Sequence, residues 1–107
     1  MIVGGVPMLF GGAGKQYLAV AHDITPFVTA YPWSSSGFGT KYANPATAAS
    51  GAQNGVAFSP TGTEIAVAHA SSPYVTAYTW NGSGFGTKFT DPATLPTGEG
   101  KGVAFSI

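Results

Sequence analysis

Hydrophobic and polar positions alternate over short stretches of the chain, and turn residues separate these stretches. Larger residues alternate with alanine over residues 64–69, and aromatic residues alternate with smaller ones over 74–80. A two-residue period of this kind predicts β-strands. Turn sequences follow at Ser71-Ser72-Pro73 and at Asn81-Gly82-Ser83-Gly84. No window has a 3.6-residue period, so we expect an all-β fold without helices.

The chain also contains an internal repeat with an offset of 47 residues. Residues 18–60 align with 65–107 without a gap, and 25 of the 43 positions are identical. The sequences AVAH, GFGTK and GVAFS each occur twice at this offset. Each unit reads as four short strands. In the second unit we expect them at 56–59, 64–69, 74–80 and 86–90, and in the first unit we expect the last strand at 40–42.

Four short strands in a repeat of about 40–50 residues are typical of a β-propeller blade. The segments VAFSPTG (56–62), IAVA (65–68) and YTW (78–80) resemble the inner strand, the second strand and the end of the third strand of WD40-like blades. The chain lacks that family's Gly-His and Trp-Asp pairs. Through the segments SPYVTAY (72–78) and DPATLP (91–96) it more closely resembles the near-identical tandem blades of bacteriophage structural proteins and of environmental sequences of unknown role. The boundaries implied are about 6–54 for the first blade, 55–101 for the second and 102–107 for a closing inner strand.

Both faces of the predicted strands are almost uncharged, one with large and one with small side chains. A blade stacked between two others needs such faces, whereas a strand of a sandwich shows one polar face to solvent. Two blades do not close a propeller, which needs about four to eight. The inner strand of the first blade is degraded near Val6–Phe10, but a full copy, Val103–Ser106, stands at the C-terminus.

We therefore expect copies of the chain to assemble head to tail into a ring. In this ring Val103–Ser106 of one copy completes the first blade of the next. Three chains with six blades are the preferred assembly, and four chains with eight blades come next. The alternative is that the chain is a fragment of a longer repeat array.

Composition excludes several classes of partner. Charged residues make up 7% of the chain, four lysines balance four acidic residues, and arginine is absent. Without a basic patch we expect neither nucleic-acid binding nor attachment to a membrane surface. No apolar run approaches 18 residues and the first ten residues fit a secretory signal poorly, so we expect a soluble chain of unknown location. The absence of cysteine excludes disulfides and thiolate metal sites.

Catalytic and metal-binding patterns are weak. His22 and His69 are equivalent in the repeat, but no set of further ligands accompanies them, so we expect hydrogen-bonded histidines between blades and no metal or cofactor. The segment 11–15 (GGAGK) superficially suggests a phosphate loop, but no helix follows and it reads as a turn. None of the four acidic residues is repeated and no G-x-S-x-G sequence is present, so we expect no enzymatic activity.

Repeated aromatic residues are the feature with binding character. Trp33 and Phe38 recur as Trp80 and Phe85, and they are candidates either for packing between blades or for contact with a glycan or protein partner. The predicted function is a non-enzymatic structural or binding module, of the kind used in virions, that offers repeated sites on a ring. The alternative is a hydrolase or lyase with its active site at the mouth of a longer propeller.

Overall fold

The computed structural model describes residues 15–107. The degraded strand expected near residues 6–10 and most of the Gly-rich segment 11–15 lie outside the described residues. The described part forms β-strands and no helix, which confirms the expected all-β class for it. The strands are Gln16–Ala21 (β1), Val28–Ser34 (β2), Gly37–Phe38 (β3), Gln53–Phe58 (β4), Glu64–His69 (β5), Val75–Trp80 (β6) and Phe85–Lys88 (β7).

These strands form two antiparallel sheets in which neighbours in sequence are neighbours in space. The N-terminal sheet has the order β1-β2-β3, and the C-terminal sheet has the order β4-β5-β6-β7. The sequence repeat is preserved in the strand register. Leu18 pairs with Tyr31 in the N-terminal sheet, as Ile65 pairs with Tyr78 in the C-terminal sheet.

Some strand bounds of the C-terminal sheet differ from the expected ones. β4 begins at Gln53 rather than at residue 56, because the pairing with β5 continues past an irregularity between Gln53 and Gly55. β7 spans Phe85–Lys88 rather than 86–90. Its pairing begins directly after the turn, where Phe85 lies opposite Trp80.

The last strand of the N-terminal sheet is Gly37–Phe38, whereas the sequence predicted 40–42. Gly37 has a φ of +100°, a conformation that glycine adopts without strain, and this lets the hairpin pair at once. The equivalent Gly84 has a φ of +141°. Beyond β3 only isolated bonds continue the pairing, such as that from the Tyr42 N–H to the Ala30 carbonyl oxygen at 2.9 Å.

The segment Val103–Ser106, predicted as a strand, is in no strand of the described chain. Its start is fixed, because the backbone at Gly102 passes close to Gly55: a Cβ built on Gly55 would lie 3.1 Å from the Gly102 Cα. Residues 104–107 are exposed. A strand needs a neighbour for its backbone hydrogen bonds, and the described part of the chain supplies none to this segment.

The two sheets stack face to face. Each sheet has a large-residue face and a small-residue face, because its strands alternate between the two kinds of side chain. In the C-terminal sheet the large-residue face carries Ile65, Val67, His69, Thr76, Tyr78 and Trp80, and the small-residue face carries Ala66, Ala68, Val75 and Ala77. The core lies where the large-residue face of the C-terminal sheet meets the small-residue face of the N-terminal sheet. We call this contact the internal seam.

Candidate functional site

The internal seam is centred on Trp80, which is 2% exposed. Four aromatic rings surround its indole at centroid distances of 5.0–5.2 Å, all edge-on: those of Tyr17, Tyr42, Phe58 and Phe85. Edge-to-face contacts are a preferred arrangement of aromatic pairs and add to the gain from burial. The structure therefore places Trp80 and Phe85, two of the predicted binding residues, in packing between the sheets.

Tyr78 links the C-terminal sheet to the segment between β3 and β4 through its hydroxyl group. The side chain is fully buried, and its hydroxyl donates a hydrogen bond to the Thr47 carbonyl oxygen at 2.6 Å. Burial raises the pKa of Tyr78 to about 12, against an opposing backbone hydrogen bond from Ala49. The phenol therefore stays protonated and remains a donor across the neutral range.

Each sheet carries one histidine in the same arrangement. The Nε2 atom of His69 lies 2.8 Å from the Thr76 hydroxyl, and that of His22 lies 2.8 Å from the Thr29 hydroxyl. His69 is fully buried, whereas His22 is half-buried. The Nδ1 atom of His69 has no partner among the described residues, and neither does the side-chain amide of the adjacent Gln53.

The N-terminal sheet displays an exposed copy of the aromatic cluster on its large-residue face. We call Tyr31, Trp33 and Phe38 the exposed aromatic trio. The rings of Trp33 and Phe38 are 5.1 Å apart at 81°, and those of Trp80 and Phe85 are 5.2 Å apart at 88°. Tyr31 also meets Phe38 edge-on, as its counterpart does in the other sheet. Trp33 is 38% exposed and Phe38 is 62% exposed, so these two predicted binding residues face outward in a single chain.

A groove of about 690 Å³ opens where the end of the N-terminal sheet meets the turn at residues 82–83. Tyr17, Trp33 and Tyr42 contribute aromatic surface to it, and Lys15 is the one acidic or basic side chain among its described lining residues. Aromatic rings beside polar groups suit the apolar face and the hydroxyls of a sugar ring. The lining of the groove therefore has the chemistry of a small-ligand site.

Charged side chains outside the groove form local pairs at exposed positions. Lys88 Nζ lies 2.7 Å from an Asp91 carboxylate oxygen, and Lys101 Nζ lies 3.2 Å from one of Glu99. A hydrogen bond from Asn54, together with Lys101, holds the pKa of the Glu99 carboxyl below its ordinary value. Exposed ion pairs such as these two contribute little to stability. Over residues 15–107, no group of three His, Cys, Asp or Glu residues has the arrangement of a metal site.

Four residues of these contacts were not predicted from the sequence. Tyr17 and Tyr42 pack on Trp80. The repeat places Glu64 at the position of Tyr17, which gives no sign of a shared role, whereas Phe89 keeps an aromatic ring at the position of Tyr42. The histidine partners Thr29 and Thr76 were detectable, because both units keep a threonine seven residues after the histidine.

Comparisons with family models, with curated proteins and with solved structures find no match for this chain. In the described part of the chain, no helix has the length and apolar character needed to cross a membrane.

Proposed function

We propose that the chain is a non-enzymatic structural or binding module in which several copies close one β-propeller. Each copy contributes two blades of the WD40-like kind, namely the two stacked sheets. The observation that carries the proposal is the incomplete strand set at each end. The N-terminal sheet has no strand on the outer edge of β1 among residues 15–107, and the C-terminal segment is a strand sequence without a partner there.

The path of the chain supports this closure. Where the chain leaves the N-terminal sheet and enters β4, the Gln53 N–H bonds to the His22 carbonyl oxygen at 3.2 Å. At the equivalent point of the C-terminal sheet, the Gly100 N–H bonds to the His69 carbonyl oxygen at 3.0 Å. The segment that follows Gly100 thus starts where the inner strand of a third blade would start, and its sequence repeats that of β4.

The outer strands of that third blade come from a second copy in this proposal. Val103–Ser106 pairs with the edge of β1 that is unpaired among residues 15–107 of the next copy, which supplies β1, β2 and β3. The closure also covers the edge of β1, which is unpaired among residues 15–107, and the apolar side chains exposed beside it. Both features promote aggregation in an isolated chain. Three chains form a ring of six blades, and four chains form one of eight.

A closed ring would present the part of the 690 Å³ groove lined by Tyr17, Tyr42 and the turn at residues 82–83 once for every chain. Repeated sites on one body increase the avidity for a polymeric ligand such as a glycan or for a repetitive protein surface. The groove's aromatic lining supports a binding role, and its described lining residues include no carboxylate for acid–base hydrolysis.

Removal of the C-terminal strand tests the proposed closure. A chain ending at Gly102 should be monomeric by sedimentation velocity at concentrations where the full chain is a ring. It loses the strand pairing of 103–106 and the burial of Val103 and Phe105, which is worth about 1.5–3 kcal/mol for each side chain. The two sheets should persist in the truncated chain, because the internal seam does not include these residues.

Deletion of Ile107 alone is the matched control. This residue is fully exposed and lies beyond the repeated GVAFS sequence, so its loss should leave the ring unchanged. An unchanged ring after truncation at Gly102 would contradict closure through the C-terminal strand.

A further inference from the structure

We infer that the large-residue face of the N-terminal sheet packs on the small-residue face of the C-terminal sheet of another copy, in the register of the internal seam. The inference rests on the proposed assembly and identifies its second contact, which is separate from the C-terminal strand. The internal seam is its template. Because the two sheets are related by a 47-residue shift, the residues of the internal seam outside β4 have counterparts on the two outer faces, and those of β4 have counterparts in the C-terminal segment.

The large-residue face of the N-terminal sheet is already formed in the single chain. Its exposed aromatic trio has the ring geometry that Tyr78, Trp80 and Phe85 have inside the internal seam. The His22–Thr29 contact likewise has the 2.8 Å length of its buried counterpart. Val20, the counterpart of the fully buried Val67, is 43% exposed. This face therefore needs no rearrangement to reproduce a buried one.

The small-residue face of the C-terminal sheet has a pocket at the position that the register of the internal seam predicts. A pocket of about 120 Å³ lies between β6 and the following chain, lined by Val75, Ala77 and Phe89 among others. In the internal seam the equivalent positions are Val28, Ala30 and Tyr42, and the rings of the C-terminal sheet pack against them. The register thus places a large side chain of the next copy in this pocket.

The repeat identifies that side chain as Tyr31. Its counterpart Tyr78 packs against Ala30 and donates a hydrogen bond to the Thr47 carbonyl oxygen. Shifted by one repeat, Tyr31 packs against Ala77 and its hydroxyl reaches the carbonyl oxygen of Thr94 in the other copy. The same shift places Val20 against Val75.

The seam between copies differs from the internal seam at a few positions. Glu64 replaces Tyr17 and Phe89 replaces Tyr42, so the facing sheet offers Trp33 one aromatic ring where it offers Trp80 two. We therefore expect the seam between copies to separate before the internal seam does.

Crosslinking at one pair of positions tests the register. The chain contains no cysteine, so a full-length variant with Val20→Cys and Val75→Cys carries two thiols only. After treatment with a short bismaleimide, a denaturing gel should show a ladder that ends at the copy number measured by light scattering. Variants with Val20→Cys alone or Val75→Cys alone should remain single chains on the gel, because like residues of two copies do not meet in a head-to-tail contact.

The outcomes separate this inference from the proposed function. A dimer of the Val20→Cys variant would show that the large-residue faces pair with each other, and it would overturn the inference. A ring by light scattering with no crosslink in the double variant would overturn the register while leaving closure by the C-terminal strand in place. If the double variant is monomeric while the parent chain forms a ring, at least one of the two positions lies at a contact between copies. This outcome would support the inferred contact. A monomeric parent chain would overturn both proposals.

Discussion

Trp80→Ala is expected to lower the free energy of unfolding by about 3–5 kcal/mol, a large share of the 5–15 kcal/mol typical of a domain. The indole is 2% exposed and is the centre of four edge-to-face contacts, two of them with the N-terminal sheet. Its removal leaves a cavity between two sheets that are held together by this cluster. Denaturant unfolding followed by circular dichroism measures the loss, at one fixed protein concentration because assembly contributes to stability.

The repeat provides the matched control, Trp33→Ala. This variant removes the same side chain from the equivalent strand position, but at a site that is 38% exposed in the single chain. We expect a smaller loss of stability within the chain and a clear weakening of association between copies. Equal stability losses in monomeric samples of the two variants would contradict the stacking of the sheets described above.

Val67→Asp is expected to prevent folding near neutral pH. Val67 is fully buried in a cluster with Val28 and Ala49, which offers a carboxylate no partner. Burying an unpaired charge costs several kcal/mol, which approaches the whole stability of the chain. Loss of the near-ultraviolet circular dichroism signal of the buried aromatic rings is the measurement.

Val20→Asp is the equivalent substitution in the N-terminal sheet, because Val20 and Val67 are equivalent in the repeat. Val20 is 43% exposed, so the variant should keep its near-ultraviolet signal and lose the ring in sedimentation velocity. A Val20→Asp chain that assembles like the parent would contradict the packing of this face on another copy. A Val67→Asp chain with a native spectrum would contradict the internal seam.

The sequence predicted the class of fold and the unequal faces of the strands because both depend on local pattern. Alternation of large residues with alanine in β5 requires one bulky face and one flat face, whatever the strand packs against. The 47-residue repeat also appears in the strand register, where Leu18 pairs with Tyr31 as Ile65 pairs with Tyr78.

The sequence did not predict features that depend on how the two sheets meet. Tyr17 and Tyr42 became part of the aromatic cluster only through stacking on the other sheet, and neither is kept in the repeat. The early start of β3 depends on the turn geometry at Gly37 rather than on strand propensity. The stacking of the sheets also explains why Trp80 is buried and Trp33 is exposed. The two residues are equivalent in the repeat, but the face that carries Trp80 is covered by the other sheet and the face that carries Trp33 is not.

The mass of the full chain in solution tests the central claim, closure of a ring by copies of one chain, most directly. Light scattering across a wide dilution series should give one species with the mass of three chains of 10.8 kDa each, or of four, that does not grow with concentration. A mass of 10.8 kDa at all concentrations would contradict the account. A mass that rises without limit would contradict closure, because it would show that the head-to-tail contacts form an open filament.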